Sequence, residues 1–306
     1  MSDTQANDAQ RVTLHIGLHF TSADYILKAI GANRTCLKEH GIYVPPKRHA
    51  WGTINAMLKR LDGLPPIAEE ATEVRTTLLG KAQAQHLFLS DERWASPLRT
   101  ALEGKTLYPE IGTHVRAVAE IFSSSELQIG LSLINPAIFL SESFASGTGA
   151  HLLKTFVEEV DPATLRWRDT LNDLRAALPD IPLVVWAEED APLIWPAVMH
   201  RLFHLPPDVP LSGRILPLKP LLHDEGYERL QTYLTSHPPK TREQYERVVM
   251  VFLNKYGREE ALAPRCSIPG WGAEDIEVLT AHYEEDLDSF AQDDSITFLQ
   301  PVTQPD

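Results

Sequence analysis

The stretch Arg11-Val12-Thr13-Leu14-His15-Ile16-Gly17 decides the fold, together with Ser22-Ala23-Asp24 and the apolar series Tyr25, Ile26, Leu27, Ile30 and Leu37 that follows it. Residues 11–17 alternate apolar and polar side chains, the period of a strand entering a core, and Gly17 closes the run. Ser22 to Asp24 carry the start signals of a helix, and the apolar residues after them recur at helical spacing, which predicts a helix over 23–39. His15 points to the opposite side of the strand from Leu14 and Ile16, where it reads as a hydrogen-bonded core histidine. Strand, tight turn and helix in this order is how phosphate-binding α/β domains open.

The same alternation continues outward. Further strands are expected at 86–89, 126–134, 181–186 and 296–299, with a short extended stretch at 41–46. Helices are expected at 113–122, 162–178, 193–204, 225–236, 241–257 and 273–292. Strands separated by helices predict an α/β fold of three layers, with a mainly parallel central sheet and additional C-terminal helices. Residues 1–10 read as a disordered lead, 11–306 as one α/β domain, and 206–300 as its largely helical C-terminal part. Pro206, Pro207, Pro210, Pro217 and Pro220 mark an ordered loop rather than a flexible linker. Polar clusters follow three of the strands: Ser90-Asp91-Glu92-Arg93, Asn135-Pro136 and Glu188-Glu189-Asp190. Parallel sheets take ligands at the carboxyl ends of their strands, so these clusters point to a site.

Composition narrows the function classes. Against 28 Lys and Arg stand 42 Asp and Glu, a net charge of −14, and 43% of the chain is hydrophobic, enough for a packed core. No nucleic-acid partner is expected, because phosphate-backbone binding needs clustered cations and Lys47-Arg48-His49 is too short a cluster. No apolar run approaches the ~20 residues of a membrane helix, and the polar N-terminus has no signal-peptide pattern. Cys36 and Cys266 imply neither a disulfide framework nor a thiolate metal site, which fits a cytoplasmic protein.

Leu14-His15-Ile16-Gly17-Leu18-His19 resembles the first strand of bacterial sulfotransferases, which run on into Lys-Thr-Gly-Thr-Thr or Lys-Thr-Gly-Ser-Thr. Ala32-Asn33-Arg34, Leu37 to Tyr43, Leu87 to Glu92, Leu133-Ile134-Asn135-Pro136, Pro269-Gly270-Trp271 and Tyr283 to Leu287 are similar to later segments of that group. The resemblance spans most of the chain in short motifs and implies a sheet of the P-loop or sulfotransferase type. It also implies a donor site for 3′-phosphoadenosine 5′-phosphosulfate (PAPS). There, backbone N–H groups and a helix N-terminus hold the phosphosulfate while a Lys neutralises the bridging oxygen.

This chain departs from the pattern at the residues that matter. Aligned without gaps, Phe20 takes the Lys position, Ser22 the Gly and Asp24 the last Thr, leaving Thr21 as a hydroxyl donor. At the 3′-phosphate position Ile134 replaces an Arg, and Glu142 stands where a Ser is expected, between Ser141 and Ser143. The resemblance therefore leaves Thr21, Ser22, Ser141 and Ser143 as cofactor-binding candidates in a degenerate site. No cofactor is expected, with PAPS as the cofactor if the family activity is retained. The leading expectation is a binding or regulatory module without ordinary sulfonyl transfer, with a small molecule or a protein as partner. One alternative is an active transferase with a rearranged site that uses Arg34 or Lys38.

A third reading rests on the residues alone. His19, Asp91 and Glu92 are catalytic candidates, since a histidine beside carboxylates can move a proton near neutral pH in a hydrolytic or metal-assisted reaction. His200 and His204, four apart on a helix, suggest a shared ligand but lack the Glu of His-Glu-x-x-His, and no metal site is expected. The Gly-x-Ser-x-Gly elbow of a serine hydrolase is missing, and Ser146-Gly147-Thr148-Gly149 lacks the Lys of a phosphate loop. Trp167, Trp186, Trp195 and Trp271 read as core or interface aromatics.

Overall fold

The computed structural model describes residues 11–21, 23–147 and 150–302; the lead 1–10, Ser22 and Thr148-Gly149 lie outside the described residues. In chain order the elements are β1 (Arg11–His15), α1 (Ala23–Ala32), α2 (Arg34–Glu39), β2 (Ile42–Tyr43), α3 (Lys47–Leu61), α4 (Ala68–Leu79) and β3 (His86–Ser90). Then come α5 (Ile111–Glu120), β4 (Glu126–Leu133), α6 (Pro136–Ser146), α7 (Ala150–Glu159), α8 (Trp167–Ala177), β5 (Leu183–Ala187) and α9 (Ala191–Phe203). The chain closes with α10 (Asp224–Ser236), α11 (Arg242–Tyr256), α12 (Glu259–Leu262), α13 (Ala273–Ala291) and β6 (Ile296–Leu299).

The six strands form one all-parallel sheet in the order β2-β3-β1-β4-β5-β6. Strand β1 is central, with Leu14 opposite Leu89 on one side and Ile129 on the other. Because β1 moves outward first to β2 and then back across to β4, the chain reverses direction around it. The crevice where an open parallel sheet takes ligands therefore lies at its carboxyl end.

Strand alternation sorts the side chains into two cores. Val12, Leu14, Ile16, Leu87, Leu89, Ile129, Leu131 and Val185 face one way and pack with α3 to α8 and α13. Phe88, Val184 and Trp186 face the other way, under α1, α2 and α9. A third, smaller core joins α10 and α11 around Leu230, Tyr245 and Val249.

Two expected boundaries move for identifiable reasons. The helix expected over 23–39 is two helices, because Asn33 turns the chain. Its amide nitrogen donates to Ala29 O (2.8 Å) and Ser212 O (2.9 Å), and its oxygen accepts from Ser212 N (2.7 Å). The strand expected over 11–17 ends at His15, although Ile16 N still reaches Gly130 O at 3.0 Å.

The α9 side of the sheet is unusually polar. Thr13, His15, His86, Gln128, Ser90 and Ser132 are all buried there. The Thr13 hydroxyl donates to Leu202 O (3.2 Å) on α9, so its oxygen is free to accept from His86 Nε2 (2.9 Å). His15 Nδ1 meets Ser90 Oγ at 2.8 Å while the ring lies between Phe88 and Trp186. Gly130 makes this possible, since a β-carbon there would collide with Leu202.

Burial holds the pKa of His15 down to about 3, with Lys47 acting in the same direction; burial, then His204 and Arg11, hold His86 at about 3. The unfolded chain takes up these protons near pH 6.5, the folded one only near 3. Stability is therefore complete above pH 6.5 and falls with pH below it, by about 1.4 kcal/mol per pH unit for each ring. Denaturant unfolding of the His15→Gln variant should show a pH dependence shallower by about 1.4 kcal/mol per unit between roughly pH 4 and 5.5. An unchanged slope would mean that His15 is not held neutral by the fold.

Candidate functional site

The loop leaving β1 turns tightly over the carboxyl edge. Leu18 is buried, Gly17 has φ of 31°, and Phe20 has φ of 63°, a left-handed conformation rare for an aromatic residue. Thr21 Oγ1 donates to Leu18 O at 2.6 Å, which closes the turn on itself. The Phe20 ring packs edge-on against Phe139 of α6, centroids 5.8 Å apart, and joins the larger core. Asp24 stands exposed in the first turn of α1, where a carboxylate complements the helix dipole. Ser22 lies outside the described residues.

His19 is held by a residue that no motif announced. Tyr108 is fully buried, and its hydroxyl accepts from His19 N (3.0 Å) and lies 2.7 Å from His19 Nδ1. The direction of this second bond follows the His19 tautomer, since the phenol both donates and accepts. Burial lowers the pKa of His19, an effect that the Glu92 charge opposes; burial also raises that of the Tyr108 phenol.

The two carboxylates expected beside His19 are engaged elsewhere. Asp91, 1% exposed, accepts from Arg93 N (3.0 Å) and Nε (2.7 Å) on Oδ1 and from Arg93 Nη2 (2.6 Å) on Oδ2. It thereby caps the short 3-10 turn Glu92–Trp94, while the guanidinium lies 3.9 Å from the centre of the Trp51 ring. Glu92 Oε2 meets Lys47 Nζ, at the start of α3, at 2.6 Å. Burial opposes ionisation of Glu92, but the Lys47 hydrogen bond, a backbone N–H and the Lys47 charge together outweigh it and keep the carboxyl below its usual range. His19, Asp91 and Glu92 are thus neighbours on one edge without forming a His–carboxylate pair.

The second half of the expected donor site is similarly occupied. Ile134 is 4% exposed in the larger core, and its carbonyl accepts from Trp167 Nε1 at 2.7 Å. Ser141 Oγ accepts from Ser267 N (3.0 Å), and Ser143 Oγ, fully buried, donates to Phe139 O (2.7 Å). Asn135 caps α6 through Ala137 N, with Pro136 in the first turn. Glu189 ties the ends of β4 and β5 together, accepting from Asn135 N (2.9 Å) and from the Tyr283 hydroxyl (2.7 Å). Asp190 beside it is pushed up to about 6 by burial and by Glu189 and Glu246.

Other candidates are dispersed. Arg34 and Lys38 lie exposed on α2, which leads to the amino end of β2, so topology puts them far from the β1 loop. The His200 ring lies between Pro196 O and Val209 O, whereas His204 caps α9 with φ of 51° and its ring meets that of His86, so the two share no ligand. Among the described residues no group of three His, Cys, Asp or Glu side chains is arranged to hold a metal ion, and no helix is long and apolar enough to cross a membrane.

Of the candidates read from the sequence, His19, Asp91, Glu92 and Glu189 lie at the carboxyl edge of the sheet, but the reading missed Tyr108, Lys47, Trp51 and Tyr283, which hold them or their partners. Tyr108 and Tyr283 carry no local signal of a role there; their partners lie 89 and 94 positions away. No family model, curated protein or solved structure matches this chain.

If Tyr108 is what shapes the loop, Tyr108→Phe should lower stability by about 1–3 kcal/mol, since it leaves the His19 N–H and Nδ1 without that partner. Denaturant titration at pH 7 measures this, and a loss within error of zero would show that the loop holds its form without the phenol.

Proposed function

We propose that this chain is a sulfotransferase-like α/β protein that does not take PAPS in that family's manner and acts as a binding or regulatory module. One observation carries the reading: the groups at the carboxyl end of β1 that would face a phosphosulfate already have partners inside the protein. Thr21 is bonded to Leu18 O, His19 N to Tyr108, and the Phe20 ring lies against Phe139. A donor nucleotide would have to displace these contacts and also face the carboxylate of Asp24 in the first turn of α1. At ~4 Å and an effective dielectric of ~20, that charge repels an anion by about 4 kcal/mol per unit charge.

The strand order also favours this reading. An all-parallel sheet with a central first strand and a tight loop into a helix is the frame such a donor site needs. The frame is kept while the cations of the site are replaced by Phe20 and Ile134. Restoring the second would bury a guanidinium in the core, since Ile134 is 4% exposed.

The test is isothermal titration with 3′-phosphoadenosine 5′-phosphate, the product nucleotide of PAPS. The protein should bind no tighter than about millimolar, roughly −4 kcal/mol. The triple variant Phe20→Lys, Ser22→Gly and Asp24→Thr should gain about 30- to 1000-fold over that, the equivalent of ~2–4 kcal/mol from two units of local charge. Micromolar binding by the unaltered protein would overturn the reading.

A further inference from the structure

A cavity of about 780 Å³ lies between α9, the loop 205–214 and the first turn of α11. Its floor is apolar, made by the half-buried Leu193 and Ala197 on α9, with Ile194 buried in the core behind them. Pro196, Pro207, Pro210, Pro238 and Pro239 line it, and each has a fixed φ.

The loop wall is pinned at three places. The His200 ring lies between Pro196 O (Nδ1, 2.7 Å) and Val209 O (Nε2, 2.8 Å) and its one N–H donates to one of them, Asn33 exchanges two hydrogen bonds with Ser212, and Tyr245 donates to Arg214 O (2.7 Å). A wall held at three points does not collapse into the groove, and a preformed groove of this volume is of the size that takes small molecules.

The rim is cationic on a strongly acidic chain. Arg214, Lys240 and Arg242 line the cavity, against Asp208 as its one carboxylate among the described residues. Arg242 Nε is engaged by buried Glu246 (2.6 Å) and one Arg214 nitrogen by Leu234 O (3.1 Å). The Lys240 ammonium, on an exposed residue, makes no ion pair among the described residues. With the His200 ring counted as neutral, Glu246 and Asp208 against the three cations leave one positive charge, which suits a monoanion better than a dianion.

We propose that this groove binds a small organic carboxylate with an apolar body, the chain lying on α9 and the carboxylate at Lys240 and Arg214. A neutral molecule leaves the rim cations unmatched, and an inorganic anion leaves the apolar floor wet. The site shares no residue with the β1 loop, so it stands or falls independently of whether nucleotide binds there.

Isothermal titration with octanoate should give saturable binding with a Kd of about 10–100 μM. The uncharged 1-octanol and the short acetate should each bind at least about fivefold more weakly, the effect of losing one partly exposed ion pair or the apolar contact. Lys240→Glu should weaken octanoate about five- to tenfold, whereas Lys154→Glu on α7 should not change it. Ala197→Trp should abolish binding by filling the floor, and Lys240→Glu keeps the test valid should that variant unfold. Absence of saturable octanoate binding would overturn the proposal. So would equal affinity for octanol, or unchanged octanoate affinity in Lys240→Glu or in folded Ala197→Trp.

Discussion

Strand β1 is hydrogen-bonded on both edges and covered on both faces, so the buried side chains from Val12 to His15 must find their partners inside the protein. The apolar half, Val12 and Leu14, does this by packing with the larger core. The polar half cannot, and burying it without partners would cost about 1–3 kcal/mol per group. Thr13 and His15 therefore recruit Leu202 O, His86 and Ser90, and Gly130 leaves room for Leu202 of α9 to approach. One strand thus sets the position of α9, the neutrality of the buried histidines and the exit point of the loop at the centre of the carboxyl edge.

What that edge does is governed by intramolecular charge pairing. Cations are present: Lys47 and Arg93 sit where an anion at the ends of β1 and β3 could meet them. Each is already bonded to Glu92 or Asp91 at 2.6 Å. A carboxylate on the same chain competes at an effective concentration that a free ligand rarely reaches, often millimolar or more. The burial of Asp91, the stacking of Arg93 on Trp51 and the capping bonds to the 3-10 turn strengthen the internal pair further. An edge with the right topology for a ligand is in this way occupied by the protein's own side chains.

The fold was legible because periodicity is local. The alternation at 11–17 and the apolar spacing after Asp24 lie within a few residues of each other, and the inward orientation of His15 followed from the same period. The break at Asn33 was not legible, because its cause is Ser212, 179 residues away. The site was half legible for the same reason. His19, Asp91 and Glu92 lie just after the carboxyl ends of β1 and β3, and Ser141 and Ser143 lie on α6 after β4. Their hydrogen-bond states depended on Tyr108, Arg93, Lys47, Ser267 and Phe139, and three of these five partners, Tyr108, Lys47 and Ser267, became neighbours of the groups they engage only through long-range packing. Proline content was a better guide to the 205–214 loop, since a fixed φ is a property of the residue itself.

The closed edge and the open groove differ in what holds their backbone. Phe20 adopts a left-handed conformation that costs on the order of 1–2 kcal/mol in a non-glycine residue. Packing its ring beside Phe139 recovers a similar amount. That loop is closed by side-chain burial acting against backbone preference. In the groove the order is reversed. Prolines and the Asn33, His200 and Tyr245 bonds fix the backbone first, and Leu193 and Ala197 of α9 remain partly exposed in the groove. Burial thus fills the place where the topology would put a ligand, and backbone rigidity preserves a space where the topology requires none.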